Sequence, residues 1–431
     1  MTHPNAVPMD AYDVVVIGGG PAGATVATLL ARAGLRVAIF ERERFPRFRI
    51  GESLLPTNVP IFDRLGCHEA IRQAGFLRKP GVTFCDEFEG RGCSSTAFTE
   101  TRWHPAFSYN VVRADFDTLL LRHAVSTGAT VYEQHTVEET YFAPDKVTVR
   151  VRGPKGDQQR IQAALVVDAS GRAAFLGGRL GQREPLPDLG KVALFAHFCG
   201  AQREPGIPEG NIRLYLVPSG WMWRIPFANG MDSVGCVLHA RVAKERPGSI
   251  TELFEATIAS APRLLQGLVG AQRVTPVHTA ANFSYRVSPA VGERYIAIGD
   301  ALGFVDPVFS TGVFFAMRSA ELAAEVILPA FAQQDFRAQR FQPYEKRMRR
   351  GLAPFLKFIQ RFYDPALLDL LCMARRPRLL SRCVMWVLSG AAFEARPLWV
   401  RAGLLCFFGI AAGCKIARWV VGQPVQSRWH W

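Results

Sequence analysis

Lys79 is a lysine in the mostly apolar run GFLRKPGVTF. If that run is buried, desolvation lowers the pKa of the Lys79 amine, because a low dielectric penalises the charged form. A neutral amine is a nucleophile and can react with an electrophile near neutral pH. The alternative is an ordinary surface lysine beside Arg78, and we take Arg78 as the solvated member of the pair.

Two tryptophans, Trp221 and Trp223, stand one residue apart in the run SGWMWRIPF. In a strand, residues i and i+2 lie on the same face, so the two indoles would form one apolar surface. Such a surface either packs in an ordinary core or forms a wall that keeps water and an organic molecule away from a reaction. The spacing is compatible with both.

A polar turn, Ser310-Thr311-Gly312, lies directly before the run VFFAMRSAELAAEVI, which has the composition of a helix. The first amides of a helix have no carbonyl partner within it and carry a partial positive charge. The turn is therefore a candidate site for a small anion. The alternative is a loop that is shaped only to fit a bound cofactor.

These residues need a scaffold, and the N-terminal sequence indicates one that binds a dinucleotide. The apolar strand YDVVVIG leads into GGGPAG, a helix, and a second apolar strand that ends at Glu41. In this βαβ arrangement Gly18 permits the tight turn, Gly20 lets the backbone approach a pyrophosphate, and Gly23 lets helix and strand pack closely. The helix N-terminus around Ala22 would receive the phosphates, and Glu41 would accept hydrogen bonds from the ribose.

The rest of the chain indicates where this nucleotide fold is interrupted. A buried strand ends at Asp168, a stretch of alternating apolar and polar residues follows, and another buried strand, RYIAIGD, ends at Asp300. The alternation predicts a mixed or antiparallel sheet inserted into the nucleotide fold. We therefore predict an α/β protein with a discontinuous dinucleotide-binding domain, a substrate-side sheet region, and a basic, apolar helical C-terminal region, at residues 1–180 and 286–336, 80–110 and 181–285, and 337–431.

The order of three runs carries a family resemblance. The run G-x-G-x-x-G near the start, DASG at 168–171 and GDA at 299–301 resemble the superfamily of aromatic hydroxylases, geranylgeranyl reductases and flavin-dependent halogenases. The resemblance covers residues 12–327 and implies a Rossmann-like FAD-binding fold of the aromatic-hydroxylase type, with non-covalent FAD. It also implies that Asp300 hydrogen-bonds the ribityl chain and that Arg113 lies near the flavin. The alternative for Arg113 is a solvated arginine at the start of a helix.

Within that superfamily, the sequence is most similar to the halogenases. Residues 221–226 match the halogenase run W-x-W-x-I-P, and residues 304–312 match F-x-x-P-x-x-S-x-G. Lys79 lies in the halogenase setting K-x-G-x-x-F, after GESLLP. Geranylgeranyl reductases usually have tyrosine first and Phe-Pro last in the run that corresponds to 221–226, and this chain lacks both features.

The resemblance implies a role for each of these runs. The two tryptophans would screen the flavin from the aromatic substrate. The flavin would contact Pro307 and Gly312, and chloride or bromide would bind at Ser310, Thr311 and Gly312. Reduced FAD (FADH2) and O2 would then oxidise the halide to hypohalous acid. Lys79 would either hold this acid by hydrogen bonding or capture it as a haloamine, next to an electron-rich aromatic ring.

One departure from the family pattern concerns the substrate. Halogenases that act on free tryptophan have a glutamate in the run P-x-E-S-x-G, and this chain has Phe309 at that position. The difference points to a ring that activates itself, a phenol or a pyrrole, either free or tethered to an acyl carrier protein. No second nucleotide fingerprint is present, so we expect a separate NAD(P)H-dependent flavin reductase, as in secondary metabolite biosynthesis.

The distribution of charge restricts the partners. Of the net charge of +14, +13 lies in residues 337–431, which contain 17 lysines and arginines against 4 aspartates and glutamates. The apolar run AGLLCFFGIAAGC in this region has 13 residues, and a bilayer span needs about 20. The run is either a buried helix or a segment on an anionic membrane surface. No nucleic-acid-binding module is recognisable, so we expect no nucleic acid partner.

Cysteine usage and the N-terminal sequence bear on the compartment. The nine cysteines are an odd number without a C-x-x-C spacing, which indicates a reducing compartment and no structural zinc. No secretory signal opens the sequence, so we expect a cytoplasmic protein, at most peripheral to a membrane. Three other functions stay open: a geranylgeranyl-reductase-like enzyme acting on an isoprenoid lipid, a single-component hydroxylase, and an inactive flavoprotein scaffold.

Overall fold

The computed structural model describes most of the chain, namely residues 11–87, 92–101, 105–186, 190–203, 208–217, 219–245, 248–281, 283–362, 378–393 and 398–420. The predicted helical C-terminal region, 337–431, therefore lies partly outside the described residues.

The strands, in chain order, are β1 (Ala11–Ile17), β2 (Val37–Glu41), β3 (Leu77–Lys79), β4 (Gly81–Asp86), β5 (Gly92–Ala97), β6 (Ser108–Asn110), β7 (Thr130–Glu133), β8 (Thr136–Phe142), β9 (Val147–Arg152), β10 (Gln158–Asp168), β11 (Arg183–Pro185), β12 (Lys191–Cys199), β13 (Ile212–Val217), β14 (Gly220–Pro226), β15 (Met231–His239), β16 (Gln272–Arg273), β17 (His278–Ala281), β18 (Tyr285–Val287), β19 (Val291–Gly292), β20 (Tyr295–Ala297) and β21 (Gly303–Phe304). The helices are α1 (Pro21–Arg32), α2 (Asn58–Leu65), α3 (His68–Gln73), α4 (Arg113–Ser126), α5 (Phe175–Arg179), α6 (Ala240–Glu245), α7 (Ile250–Ala259), α8 (Pro262–Gly267), α9 (Gly312–Gln333), α10 (Ala338–Phe362), α11 (Arg378–Leu388) and α12 (Leu398–Val420). Short 3-10 helices include Phe98–Thr101, Gly299–Ala301 and Pro307–Phe309.

The sheet that contains the N-terminal strand positions the glycine motif. Its order is β19–β20–β10–β1–β2–β7, with β1 parallel to both β2 and β10 and the antiparallel strands β9 and β8 attached to β10. β2 is wholly buried and β1 is mostly buried, as expected of apolar parallel strands covered on both faces. The predicted Rossmann-like α/β fold is confirmed.

The inserted region forms a second sheet. Its order is β16–β12–β15–β14–β13–β4–β5, and β17 also pairs with β12. The sheet is mixed, because β13 runs parallel to β4 while its other described pairs are antiparallel. Apolar residues of α7 and α8 cover one face, and the opposite face presents the two tryptophans of β14.

The C-terminal helices lie against this tryptophan face. Phe362 of α10, Trp386 of α11 and Phe407 of α12 join Trp221 in one buried apolar cluster. The described part of the C-terminal region is therefore helical, as predicted, and one side of α12 is buried. Within the described residues, no helix is both long and apolar enough to cross a membrane.

A reducing compartment, as predicted from the cysteines, implies that they are free thiols. One pair of cysteines differs from this expectation. Cys85 on β4 and Cys93 on β5 lie opposite each other and form a disulfide, with their Cα atoms 4.1 Å apart. The antiparallel pairing of the two strands brings these cysteines together, and an eight-residue separation does not reveal it in the sequence. Other described cysteines are thiols, namely Cys67, Cys199, Cys236, Cys383 and Cys406.

Candidate active site

The glycine motif forms a tight turn between β1 and α1. Gly18 has a φ of +101°, and a Cβ atom there would lie 2.5 Å from the carbonyl oxygen of Ala169. A Cβ atom on Gly23 would lie 1.9 Å from the carbonyl oxygen of Gly18, so helix and strand leave no room for a side chain. Gly20 precedes α1 in an extended conformation, and Ala22 lies in its first turn. The turn thus leaves the N-terminus of α1 as an anion site.

Glu41, the last residue of β2, holds this turn in place. Its Oε2 accepts a hydrogen bond from the Gly19 amide at 2.8 Å, and its Oε1 accepts one from the Glu43 amide at 2.9 Å. Each carboxylate oxygen keeps a further lone pair, so Glu41 can also accept from a ribose hydroxyl. Holding the turn is a role that the sequence alone does not predict.

Arg113 is the first residue of α4 and is buried, which excludes a solvated arginine. Its Nε and Nη2 donate to the carboxylate of Asp117 at 2.7 and 2.8 Å. Its Nη1 donates to the carbonyl oxygen of Ile50 at 2.5 Å. Arg113 therefore ties α4 to the loop that begins the GESLLP run.

Arg47 is a candidate cofactor ligand that lies outside the sequence motifs. Its Nη1 donates to Asp117 at 2.9 Å, and a Cβ atom on Gly20 would lie 3.3 Å from its Nη2. The Arg47 Nε is buried and has no hydrogen-bond partner in the described part of the chain. A guanidinium with an unused buried donor beside a phosphate-binding turn fits the pyrophosphate of FAD. No spacing rule connects Arg47 with the glycines, so only the folded arrangement reveals it.

Asp300 lies in the short helix after β20, where the chain returns to the glycine turn. Gly299 has a φ of +60°, and a Cβ atom there would lie 3.0 Å from the Cβ of Ala22. Burial raises the pKa of the Asp300 carboxyl to about 6, and the charges of Arg113 and Arg172 counteract part of this rise. The structure therefore brings Asp300, Arg113 and the glycine turn together around one site.

A buried ion pair attaches the loop before α9 to the second sheet. The Nζ of Lys191, on β12, lies 2.9 Å from Asp306 Oδ2, and the Val308 amide donates to Asp306 Oδ1 at 2.9 Å. Ser310 has a φ of +56°, and its amide donates to the carbonyl oxygen of Pro307 at 3.0 Å. The loop is thus fixed at both of its ends.

The start of α9 offers fewer hydrogen-bond donors to an anion than the sequence suggests. The amide of Ser310 is already used, which leaves only its hydroxyl. Thr311 is buried and directly precedes the helix, and Gly312 is its first residue. Amides at these two positions have no carbonyl one turn earlier in the helix, and the 22-residue helix places a partial positive charge there.

Trp221 and Trp223 lie side by side on β14, buried, with ring centroids 5.8 Å apart. The Nε1 of Trp223 donates to Ser233 Oγ at 3.1 Å. The Trp223 ring covers Gly235, where a Cβ atom would lie only 2.2 Å from it. Phe195 of β12 packs on the same face, 6.2 Å from Trp223. This face is a closely packed aromatic surface.

Lys79 ends β3 and is only 2% exposed, whereas Arg78 is exposed. Its Nζ donates to the carbonyl oxygen of Leu54 at 3.0 Å and lies 5.4 Å from the centre of the Phe98 ring. Burial lowers the pKa of the Lys79 amine to about 7. Phe98 belongs to the same buried apolar cluster as Trp221, so the amine lies against a member of that cluster.

Phe309, which takes the place of the family's glutamate, is also buried in this cluster. Its ring lies 5.5 Å from that of Phe362 and 6.3 Å from that of Phe358, both on α10. Aromatic packing therefore occupies the position where tryptophan-specific relatives have a carboxylate.

A second buried pair near Arg113 was not evident in the sequence. His197 Nε2, on β12, lies 2.6 Å from Glu52 Oε1 of the GESLLP run. A Cβ atom on the preceding Gly51 would lie 2.9 Å from Arg113 Nη1. The pair therefore joins the second sheet to the loop that holds Arg113, across 145 residues of sequence.

The fold and these sites define the class of protein. The model of the tryptophan halogenase family matches residues 13–104 and 93–366, so the chain belongs to this family. It is a flavin-dependent halogenase, an enzyme whose cofactor is FAD and whose co-substrates are a halide and O2. This confirms the predicted family and function, and it leaves the lipid reductase, the single-component hydroxylase and the inactive scaffold without support.

The chain is similar to individual members of this family. The chain is 34% identical over 375 residues to a Pseudomonas fluorescens chlorinase of 1H-pyrrole-2-carbonyl groups on a peptidyl-carrier protein, which covers 82% of this chain and 83% of that one. It is 33% identical over 330 residues to the corresponding brominase of Pseudoalteromonas luteoviolacea, with coverages of 76% and 79%. The solved structure of the myxobacterial chondrochloren halogenase CndH matches with a TM-score of 0.78 and 31% identity, covering 96% of this chain and 90% of that one.

Proposed function

We propose that this enzyme halogenates a phenol or pyrrole ring that a carrier protein presents. In this proposal the ring lies next to Lys79, which delivers the halogen. The observation that carries the proposal is the buried Lys79 amine against Phe98, a member of the apolar cluster that contains Trp221 and Trp223. Two relatives act, by their names, on a pyrrole carbonyl group of a peptidyl-carrier protein. Phe309 places no carboxylate at its position, which favours a substrate ring that loses its proton without such help.

Bound FAD, once reduced, supplies the electrons with which O2 converts chloride or bromide to hypohalous acid. The residues proposed to hold FAD lie around the ends of β1, β2 and β20 and near the starts of α1, α4 and α9. They are Gly18, Gly20, Ala22, Gly23, Glu41, Arg47, Arg113, Asp300, Pro307 and Gly312. The amides of Thr311 and Gly312, with the Ser310 hydroxyl, bind the halide in this proposal.

The tryptophan face keeps the aromatic substrate away from the flavin. Trp221 packs against Phe362 and Trp223 against Phe195, so the face presents ring surfaces and few polar groups. The surrounding apolar cluster excludes water, which would otherwise dilute the oxidant before it meets the substrate. Only a small neutral molecule such as hypohalous acid is suited to cross this surface.

Lys79 receives the hypohalous acid. With a pKa of about 7, the side chain is present as both ammonium and amine at neutral pH. The ammonium can donate a hydrogen bond to the acid. The amine can instead attack the halogen, forming an N–halogen bond and releasing water. The carbonyl oxygen of Leu54 accepts one N–H and orients Nζ in either case.

A separate NAD(P)H-dependent flavin reductase supplies the reduced flavin in this proposal. The sequence contains one G-x-G-x-x-G run, at Gly18 to Gly23, and we assign it to FAD. In this proposal a second protein binds the nicotinamide.

The test is a bromination assay with FAD, a flavin reductase, NADH, O2 and bromide. The substrates are pyrrole-2-carbonyl and 4-hydroxybenzoyl groups on a carrier protein, and the matching free acids. We expect a bromine isotope doublet on a carrier-bound ring, its loss in Lys79→Ala, and its retention in Arg78→Ala, the exposed neighbour. A doublet that persists in Lys79→Ala would remove the role of Lys79. A doublet on the free acids alone would overturn the carrier-bound substrate.

A further inference from the structure

Helix α12 is apolar on two opposite faces, and only one of them is buried. The buried face consists of residues at helical spacing, Val400, Leu404, Phe407 and Ala411. On the other face Leu398 is 81% exposed, Leu405 is 75% exposed and Ile410 is 43% exposed. From 402 to 414 the helix contains no charged side chain. An apolar helix face in water calls for a partner.

The exposed residues form a continuous patch with the neighbouring helix. We define the α12 patch as Leu379, Leu398, Trp399, Leu405 and Ile410, each at least 37% exposed. Leu379 of α11 lies beside Gly403 of α12, since a Cβ atom added to Gly403 would lie 3.9 Å from its Cγ. From Leu398 to Ile410 the patch extends about 18 Å along the helix.

The charged residues in the sequences of α11 and α12 are all basic. The sequences of α11 and α12 contain no aspartate or glutamate and carry the basic residues Arg378, Arg382, Arg401, Lys415 and Arg418. The guanidinium of Arg382 lies 4.8 Å from the Trp399 ring, at the edge of the patch. The guanidinium of Arg361 lies 4.6 Å from the Phe408 ring. A second copy of this chain would bring like charges together, so charge complementarity favours an anionic partner.

We infer that the α12 patch docks on an anionic lipid surface, with α12 lying in the plane of the membrane interface. Leucine, isoleucine and tryptophan would enter the boundary between headgroups and acyl chains, and Arg382 and Arg401 would bind lipid phosphates. An acidic protein would be recognised mainly through its charged groups, and residues 402–413 of α12 carry no charged side chain. This inference goes beyond the proposed function and holds for any substrate.

The test is vesicle flotation of the FAD-loaded full chain. We expect the protein to float with vesicles of phosphatidylcholine and phosphatidylglycerol, to bind at least tenfold more weakly to phosphatidylcholine alone, and to dissociate at high salt. The double variant Leu398→Glu/Leu405→Glu should lose binding at least tenfold. The matched control Leu265→Glu/Val269→Glu changes two exposed apolar residues at α8 and should bind as the wild type does.

Bound FAD, measured by its absorbance, shows that each variant is folded. Failure of the wild type to float with anionic vesicles would overturn the inference, as would undiminished binding by Leu398→Glu/Leu405→Glu. A wild-type dimer that this variant converts to a monomer, without vesicle binding, would assign the patch to a second copy. Binding of an acidic carrier protein through the patch, again without vesicle binding, would assign it to that protein.

Discussion

At the scale of the residue, Lys79 links burial to pH. Its pKa is about 7 in the folded protein, against 10.5 for an ordinary lysine. Between these values the unfolded chain binds more protons than the folded one, so the free energy of unfolding rises with pH from 7 towards 10. Below pH 7 both states are protonated and the contribution stays constant.

The substitution Lys79→Met isolates this effect. We expect the stability of the wild type relative to Lys79→Met to increase above pH 7, by at most about 1.4 kcal/mol per pH unit, because the variant has no proton to lose. Urea unfolding of both proteins at pH 7, 8 and 9 measures the difference. A difference that is the same at all three values would mean that the Lys79 amine is not desolvated.

Gly235 controls the position of Trp223. A Cβ atom there would overlap the indole at 2.2 to 2.6 Å, so Gly235→Ala must displace the ring. We expect a loss of about 1–3 kcal/mol in the free energy of unfolding and a shifted tryptophan fluorescence spectrum. Gly190→Ala is the control, since a Cβ atom at Gly190 meets no atom within 4 Å among the residues that the structure describes. Equal behaviour of the two variants would contradict the packing.

Spacing rules identify some site residues and miss others for a physical reason. The tryptophans, the glycines and Lys79 lie in short runs whose local pattern carries the chemistry. Arg47 meets Asp117 across 70 residues, and Glu52 meets His197 across 145. Such contacts depend on which strands become neighbours, and no local pattern contains that information.

At the scale of the element, the Lys191–Asp306 pair holds the loop before α9 against β12. Removing one partner leaves the other charge buried, so we expect Lys191→Met to lower the free energy of unfolding by about 3–5 kcal/mol. Lys191→Met/Asp306→Asn should recover part of this loss, because the asparagine can still accept from the Val308 amide. Urea unfolding and the halide concentration for half-maximal rate are the measurements.

An exposed pair serves as the comparison for this prediction. Arg241 and Glu245 are both more than 60% exposed, so Arg241→Met should leave stability unchanged. Equal effects of Lys191→Met and Arg241→Met would show that the buried pair does not fix the loop.

Helices and strands were predictable where apolar residues recur in a clear pattern along the sequence. The βαβ unit and the long helix α9 follow from apolar runs bounded by glycine turns. The parallel pairing of β13 with β4 was not predictable, because 130 residues separate the paired residues along the chain, as in Ile212 and Val82. The packing of α10 to α12 on the tryptophans likewise depends on tertiary contacts alone.

At the scale of the whole molecule, the Cys85–Cys93 disulfide leaves the protein with two fewer free thiols than a fully reduced chain has. We expect the denatured protein to take up two fewer alkyl groups before reduction than after it, as measured by intact mass. Cys85→Ala/Cys93→Ala should lower the free energy of unfolding by about 2–3 kcal/mol, because the cross-link restricts the unfolded chain. Equal alkylation before and after reduction would contradict the disulfide.

The order of strands in the first sheet has a consequence for synthesis. β1 and the glycine turn are made before β20, Asp300 and the start of α9, which follow about 280 residues later. At a ribosomal rate of about 5–20 residues per second, the two halves of the FAD site appear on the order of 15–60 s apart. A nascent chain therefore cannot retain flavin until α9 has left the ribosome, and a chain truncated before Gly299 should be colourless.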